Sequence, residues 1–198
     1  MGHREILGVL IGFWVMIISP PAHSTTLLYM PTWELYDNSA MITIGTVAKT
    51  TSFWDSDRRM IFTRADIAIE ETLKGADHGK IQVITPGGTV ENIQMRVHGA
   101  SQFYRNERIL LYLSPLSTAP KIPEAVKGNS TYTVTGYTMG KFNILLDDLT
   151  GVELINNRLD DISLVDRTFT PIPSKLQKSK YRTLEEIKRE VQELNTLQ

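Results

Sequence analysis

The residues of this chain that could do chemistry are few and scattered. His78 follows Asp77, and His98 lies on a later segment. An imidazole within hydrogen-bond reach of a carboxylate can shuttle protons in hydrolysis. With a third close ligand, the same groups can hold zinc. No HExxH-type pair is present, so the spacing favours solvated loop histidines over a metal site. Asp55 and Asp57 resemble a fragment of a calcium loop, but its glycine and distal glutamate are missing. Asp147-Asp148 and Asp160-Asp161 are acidic pairs. Neighbours in a strand point to opposite faces, so turn and cap duty suits them better than a carboxylate dyad. Pro86-Gly87-Gly88 suggests a phosphate cradle. It lacks the lysine, the adjoining serine or threonine and the following helix, which leaves a tight turn. No serine sits in a Gly-x-Ser-x-Gly elbow. The chain has no cysteine, which excludes thiol catalysis, thiolate zinc sites and cysteine-ligated iron–sulfur clusters. No residue is therefore assigned a catalytic, cofactor-binding or metal role, and no cofactor is expected. A site assembled from separate loops would leave no local motif. Its best candidates are Asp77, His78 and His98.

The elements that must position these groups are strands. From Met60 to Leu113 the chain reads as a long alternating strand, a stop at Leu73-Lys74-Gly75, a second strand, the Pro-Gly-Gly turn, a third strand, a loop and an apolar run. Ile61, Thr63, Ala65, Ile67, Ile69 and Leu73 share one parity, opposite a mostly polar one. Such alternation over this length means one buried and one wet face, and so long a strand must twist. Met41 to Lys49 reads as its hairpin partner, extensible through Phe53 and Trp54, with the turn at Asp55 to Arg59. The apolar parity changes phase at Gly45, which predicts a bulge or bend. Ile93, Met95 and Val97 alternate and predict another half-wet strand. Ile109 to Leu113 is apolar on both parities, which predicts a strand covered on both faces. Ser114 to Gly128, broken by Pro115, Pro120 and Pro123, reads as a long loop. Tyr132 to Gly136, Phe142 to Leu146 and Val152 to Ile155 are further strands, the last two joined by a turn.

Helices bracket this body. Pro31 to Asp37 reads as a short helix capped by Thr32, with Trp33 and Tyr36 sharing a face as a binding platform or, more simply, a plug. The last segment opens on Thr183 and Glu186, the pattern of a capping box. Leu184, Ile187, Val191 and Leu194 give it a narrow apolar stripe, expected to dock on the body. Prolines and basic residues over 167–182 read as a linker. The first 24 residues have a weak polar head, an apolar run from Ile6 to Ile18, helix-breaking Pro20-Pro21 and a small-residue cleavage site after Ser24. This is the layout of a secretory signal, predicting a periplasmic or extracellular protein with no lasting membrane span. The expected divisions are a signal peptide over 1–24, a body over 25–166, a linker over 167–182 and a helix over 183–198. The leader holds one basic and one acidic residue of its own, so the net charge stays -1 without it. That gives no reason to expect nucleic acid as partner.

Ile44-Gly45-Thr46-Val47, Glu70 through Gly75, Pro86-Gly87-Gly88 and Phe103 through Leu113 resemble a widespread group of small exported bacterial proteins of uncharacterised function. The resemblance covers roughly Trp33 to Phe142 and rests on short motifs. It implies an OB-like barrel, related in shape to netrin-like modules and tissue metalloprotease inhibitors. Those inhibitors chelate zinc through an N-terminal cysteine, which this chain lacks. The expected fold is thus mainly β: a small antiparallel OB-like barrel with a short N-terminal helix and a C-terminal amphipathic helix. The expected function is an exported, non-catalytic binding or interaction module for an unknown protein or small-molecule partner. The alternatives are a protease inhibitor working without zinc chelation and a hydrolase with a loop-built site. Contacts are expected at the rims: Asp55 to Arg59, Ala76 to Gly79 and Gly99 to Asn106.

Overall fold

The computed structural model describes residues 26–116, 121–123, 126, 130–157, 159, 162–172 and 182–197. The expected leader, most of the expected linker, Asp160 and Asp161 lie outside them. In chain order the elements are β1 (Thr26–Leu28), α1 (Thr32–Asp37), β2 (Met41–Trp54), β3 (Ile61–Lys74), β4 (Lys80–Pro86), β5 (Gly88–Val90), β6 (Ile93–Met95), β7 (Arg108–Pro115) and β8 (Thr131–Val134). A 3-10 turn over Tyr137–Gly140 leads into β9 (Lys141–Leu146), followed by β10 (Glu153–Asn156), β11 (Ser163–Val165), β12 (Arg182–Thr183) and α2 (Leu184–Thr196). The described residues are mainly β with two α-helices.

β2 and β3 form the long hairpin that alternation predicts, and β2 does run on to Trp54. Their pairing shifts register between Ile44 and Gly45, where the parity changes phase. A side chain at Gly45 would strike the carbonyl of Ala68 across the hairpin. Only glycine lets the bulged strand approach this closely. The large sheet runs β12-β10-β9-β7-β2-β3-β4-β8. β7 is shared on its far edge: Ile109 to Leu111 pair with β9, and Leu113 to Pro115 pair with β8. Because β8 also pairs with β4, the path β2-β3-β4-β8-β7 returns to β2.

Two expectations are corrected here. The sheet is mixed rather than antiparallel, since β8 enters beside β4 in the same direction. A parallel pair needs a crossover, and here β5, β6 and β7 all lie between β4 and β8 in the chain. β1 and β11 form a second parallel pair. The alternation at Ile93, Met95 and Val97 does not face a core. Among the described strands β6 pairs only with β5, in a small hairpin, and Ile93 is 53% exposed.

The sheet buries both faces. Val47, Ala65, Ile67, Ile81, Val83, Ile109, Leu111 and Leu113 form one cluster, joined by Phe103 from the 99–106 loop. Ile42, Ile44, Leu110 and Tyr112 face the other way, beneath α1 and α2. β7 contributes to both, which accounts for its unbroken apolar run: Ile109 to Leu113 are all 0% exposed. The capping box of α2 is present, with Thr183 accepting from the Glu186 amide and Glu186 from that of Thr183. Leu184, Ile187 and Val191 are buried on the sheet, so the stripe docks in cis. α1 departs from expectation at both of its marked residues. Pro31, not Thr32, occupies the cap position, without a side-chain bond. Trp33 is exposed while Tyr36 is buried, so the two aromatics share no platform. Tyr36 alone is the plug, with the Lys74 ammonium 3.9 Å above its ring.

Candidate functional site

The segment from Arg96 to Tyr104 forms the common wall of two depressions. It leaves the β5–β6 hairpin, and its course is fixed by short bonds to neighbouring elements. The Thr138 amide donates to the Gly99 carbonyl at 3.0 Å, and the Ser101 hydroxyl donates to the Tyr137 carbonyl at 3.1 Å. The Thr85 hydroxyl donates to the Ser101 carbonyl at 2.9 Å. Phe103 turns inward to close the interior cluster, which anchors the wall from below. Gly87 and Gly88 carry φ of 98° and 141°, and a side chain at Gly88 would strike Ser52 and Thr63. The Pro-Gly-Gly turn is therefore a device for close backbone approach, which launches the β5–β6 hairpin over β2 and β3.

The first depression has a volume of about 460 Å³ and is lined by Arg96, His98, Gln102, Tyr104, Thr138, Lys141 and Asn143, with small and apolar neighbours. Lys141 is its least expected member. It opens β9 opposite Leu111, so it lies on the face that carries the interior cluster. It is only 7% exposed. Its ammonium donates to Glu107 at 3.1 Å and to the side-chain Oδ1 of Asn143 at 2.7 Å, and lies 5.4 Å from the centre of the Phe103 ring. A buried cation needs such partners. Glu107 also accepts the Tyr104 amide at 2.9 Å, tying the end of the wall to the buried lysine. The second depression, about 610 Å³, runs over Thr50, Ser52, Thr63, Thr85 and Thr89 and shares Arg96, Gln102 and Tyr104. Its hydroxyls are partly engaged with one another: Ser52 and Thr63 share a hydrogen bond of 3.0 Å, and Thr63 donates to the Gly87 carbonyl at 2.7 Å.

The residues singled out by the sequence are not brought together. Asp77 accepts the Gly79 amide at 3.1 Å, as a turn residue does. The ring of His78 meets the Tyr132 hydroxyl at 3.3 Å. His98 instead lines the first depression, whose described walls include neither Asp77 nor His78. The hydrolytic set built on these three residues is not assembled. Asp55 accepts the amides of Arg59 and Met60, and Asp57 pairs with Lys121 at 2.7 Å, which makes the calcium-like fragment a turn. Asp147 accepts the Leu149 amide and the Thr150 hydroxyl. Those bonds hold its carboxyl below the usual range, the Thr150 hydroxyl contributing most. Among the described residues, no group of three or more histidine, aspartate or glutamate side chains could hold a metal ion. None of their helices is long and apolar enough to cross a membrane.

Sequence reasoning reached the 99–106 loop as a rim but missed Arg96, Thr138, Lys141 and Asn143. Lys141 alternates with the apolar Phe142 and Ile144, as any wet-face lysine would. Only the pairing of β9 with β7 reveals that its face is a buried one. The chain matches no family model, and no curated protein or solved structure was found similar to it.

Proposed function

We propose that this is an exported, non-catalytic binding module, an OB-like barrel whose ligand or partner seats against the Arg96–Tyr104 wall. The barrel reading is supported by the pairing path that leaves β2 through β3, β4 and β8 and returns through β7. OB folds are five-stranded, partly open barrels, and five strands make up this path. The export reading is supported by the leader pattern over 1–24. The observation that carries the binding reading is the wall itself: a loop held by three bonds to two neighbouring elements, the 3-10 turn and β4, yet presenting polar side chains to two concavities. A pre-organised polar concavity loses little entropy on binding.

The test uses Gln102→Trp. Gln102 is exposed and lines both concavities, so an indole there obstructs them without disturbing the core. Wild-type and variant protein, purified natively from the exported fraction, are incubated with the soluble contents of that fraction and weighed intact by native mass spectrometry. The expected result is a bound mass on the wild type that the variant loses while keeping its melting temperature. Equal bound masses on both proteins, or none on either, would overturn the reading.

A further inference from the structure

We infer that the second depression takes a neutral, hydroxyl-rich ligand, a saccharide; the inference rests on the binding reading above and names the ligand class of one of its two concavities. The direction of the hydrogen bonds in the floor is the argument. A hydroxyl has one proton to give and two lone pairs to receive. Thr63 gives its proton to the Gly87 carbonyl at 2.7 Å. The 3.0 Å bond between Ser52 and Thr63 must then be donated by Ser52. Ser52 in turn accepts the Thr89 amide at 3.3 Å. Both hydroxyl protons of this floor are spent, and what Ser52 has left to offer is a lone pair. The rim works in the opposite sense. Gln102 accepts the Tyr104 hydroxyl at 2.6 Å through its Oε1, which leaves the two protons on its Nε2 to give. Gln94, exposed on the same rim, has an amide that both donates and accepts. A floor that accepts and a rim that donates suit a group able to do both. A hydroxyl does; an oxyanion only accepts, and an ammonium only donates. Tyr104 lines the same space and is 50% exposed, with its hydroxyl end held by Gln102. Its ring sets an apolar surface beside the polar groups, as the C–H faces of a sugar alternate with its hydroxyls.

The depression is built from one continuous described stretch, since its lining residues run from Thr50 to Tyr104. The neighbours of Ser52 and Thr63 in the strands, Phe53 and Phe62, point to the opposite face of the hairpin, where they pack with Ile122 and Val126. The described part of that later loop therefore lies on the other side of the sheet. Arg96 is the one charged residue among the described lining residues and is already engaged, so charge does not select the occupant. The other concavities have a different chemistry. In the first, the Lys141 ammonium is balanced by Glu107. The depression over β3 and β4 contains Arg64 and Asp66 as an ion pair at 3.1 Å. The cavity lined by Leu27, Met30, Phe62, Val134 and Met139 is largely apolar.

The inference is tested by following backbone amide resonances of the folded protein during titration with glucose, N-acetylglucosamine, maltose and cellobiose and, as charged probes, with inorganic phosphate and tetramethylammonium. At least one saccharide should give saturable shifts at Gly87 to Thr89 and at Gln102 to Tyr104. Added sodium chloride should leave that affinity unchanged, because no charge takes part. Tyr104→Ala should weaken the binding by about fivefold or more, the scale of losing one aromatic contact. Trp33→Ala removes an equally exposed aromatic from α1 and should leave affinity within about twofold, as expected for a residue outside the site. Both side chains are exposed, and Phe103 keeps the loop anchored, so folding is not at stake. The inference is overturned if no saccharide gives saturable shifts at these residues, if only a charged probe does, or if the two variants weaken binding equally. A bound mass that Gln102→Trp loses would leave the binding reading standing in each of those cases. An absence of bound mass in that comparison speaks instead against the binding reading itself.

Discussion

The hydroxyl of Tyr112 is buried between β7 and α2 with no hydrogen-bond partner among the described residues. Its ring packs edge-on against Phe142 at 6.0 Å. Burial pushes its pKa upward, and the negative charge of Glu190 adds to the shift. A buried, unpaired hydroxyl costs about 1–3 kcal/mol relative to one that stays hydrogen-bonded. Tyr112→Phe keeps the ring and removes the orphan, so chemical denaturation should show stability unchanged or raised by up to about 2 kcal/mol. A loss above about 1 kcal/mol would mean that the hydroxyl has a partner after all. Glu70 works in the opposite sense. Burial raises its pKa, but hydrogen bonds from Thr46 at 2.7 Å and Arg108 at 2.6 Å outweigh burial and hold it below the ordinary 4.5. A carboxylate with a depressed pKa stabilises the fold fully above its unfolded value and loses that contribution as pH falls through the folded one. Glu70→Gln should therefore be less stable than wild type at neutral pH, with the gap closing below about 4.5. The pair is more than a third exposed, so the gap is less than about 1 kcal/mol. A gap that widens on acidification would contradict this account.

At the scale of elements, α2 is where local chemistry is most readable. Thr183 and Glu186 close the capping box, and Lys188 reaches across to Glu71 at 2.7 Å. Thr183→Ala removes one half of the box and should cost about 1 kcal/mol, read as a lowered denaturation midpoint; no change would mean that the cap is idle. The same residues were legible beforehand because a capping box is a short, local pattern. So were the β2–β3 hairpin and β7, where parity alone separates one buried face from two. Other features were hidden for physical reasons. The pairing of Gln82 and Val83 with Thr131 and Tyr132 joins segments far apart in sequence, and no local pattern encodes it. The alternation at Ile93 and Met95 is real but buries little, with Ile93 exposed and Met95 half-buried. Trp33 and Tyr36 have the spacing of neighbours on a helix, yet α1 is only six residues long and turns one of them to solvent.

Across the described molecule, one sheet carries apolar clusters on both faces, and the division of labour follows from that. The face under α1 and α2 is sealed by helices. The cluster on the other face is joined by Phe103, whose loop becomes the wall of the polar cleft. The candidate site was half legible: its loop could be named from the break in alternation after Val97, but its basic floor required β9 to be placed beside β7. The claim on which the account stands is that this wall holds a ligand. The most direct measurement is the intact mass of the natively purified protein after exposure to the exported fraction, wild type against Gln102→Trp. The account predicts a bound mass on the wild type that the variant lacks at unchanged melting temperature. The same mass on both proteins, or no bound mass on either, would contradict it.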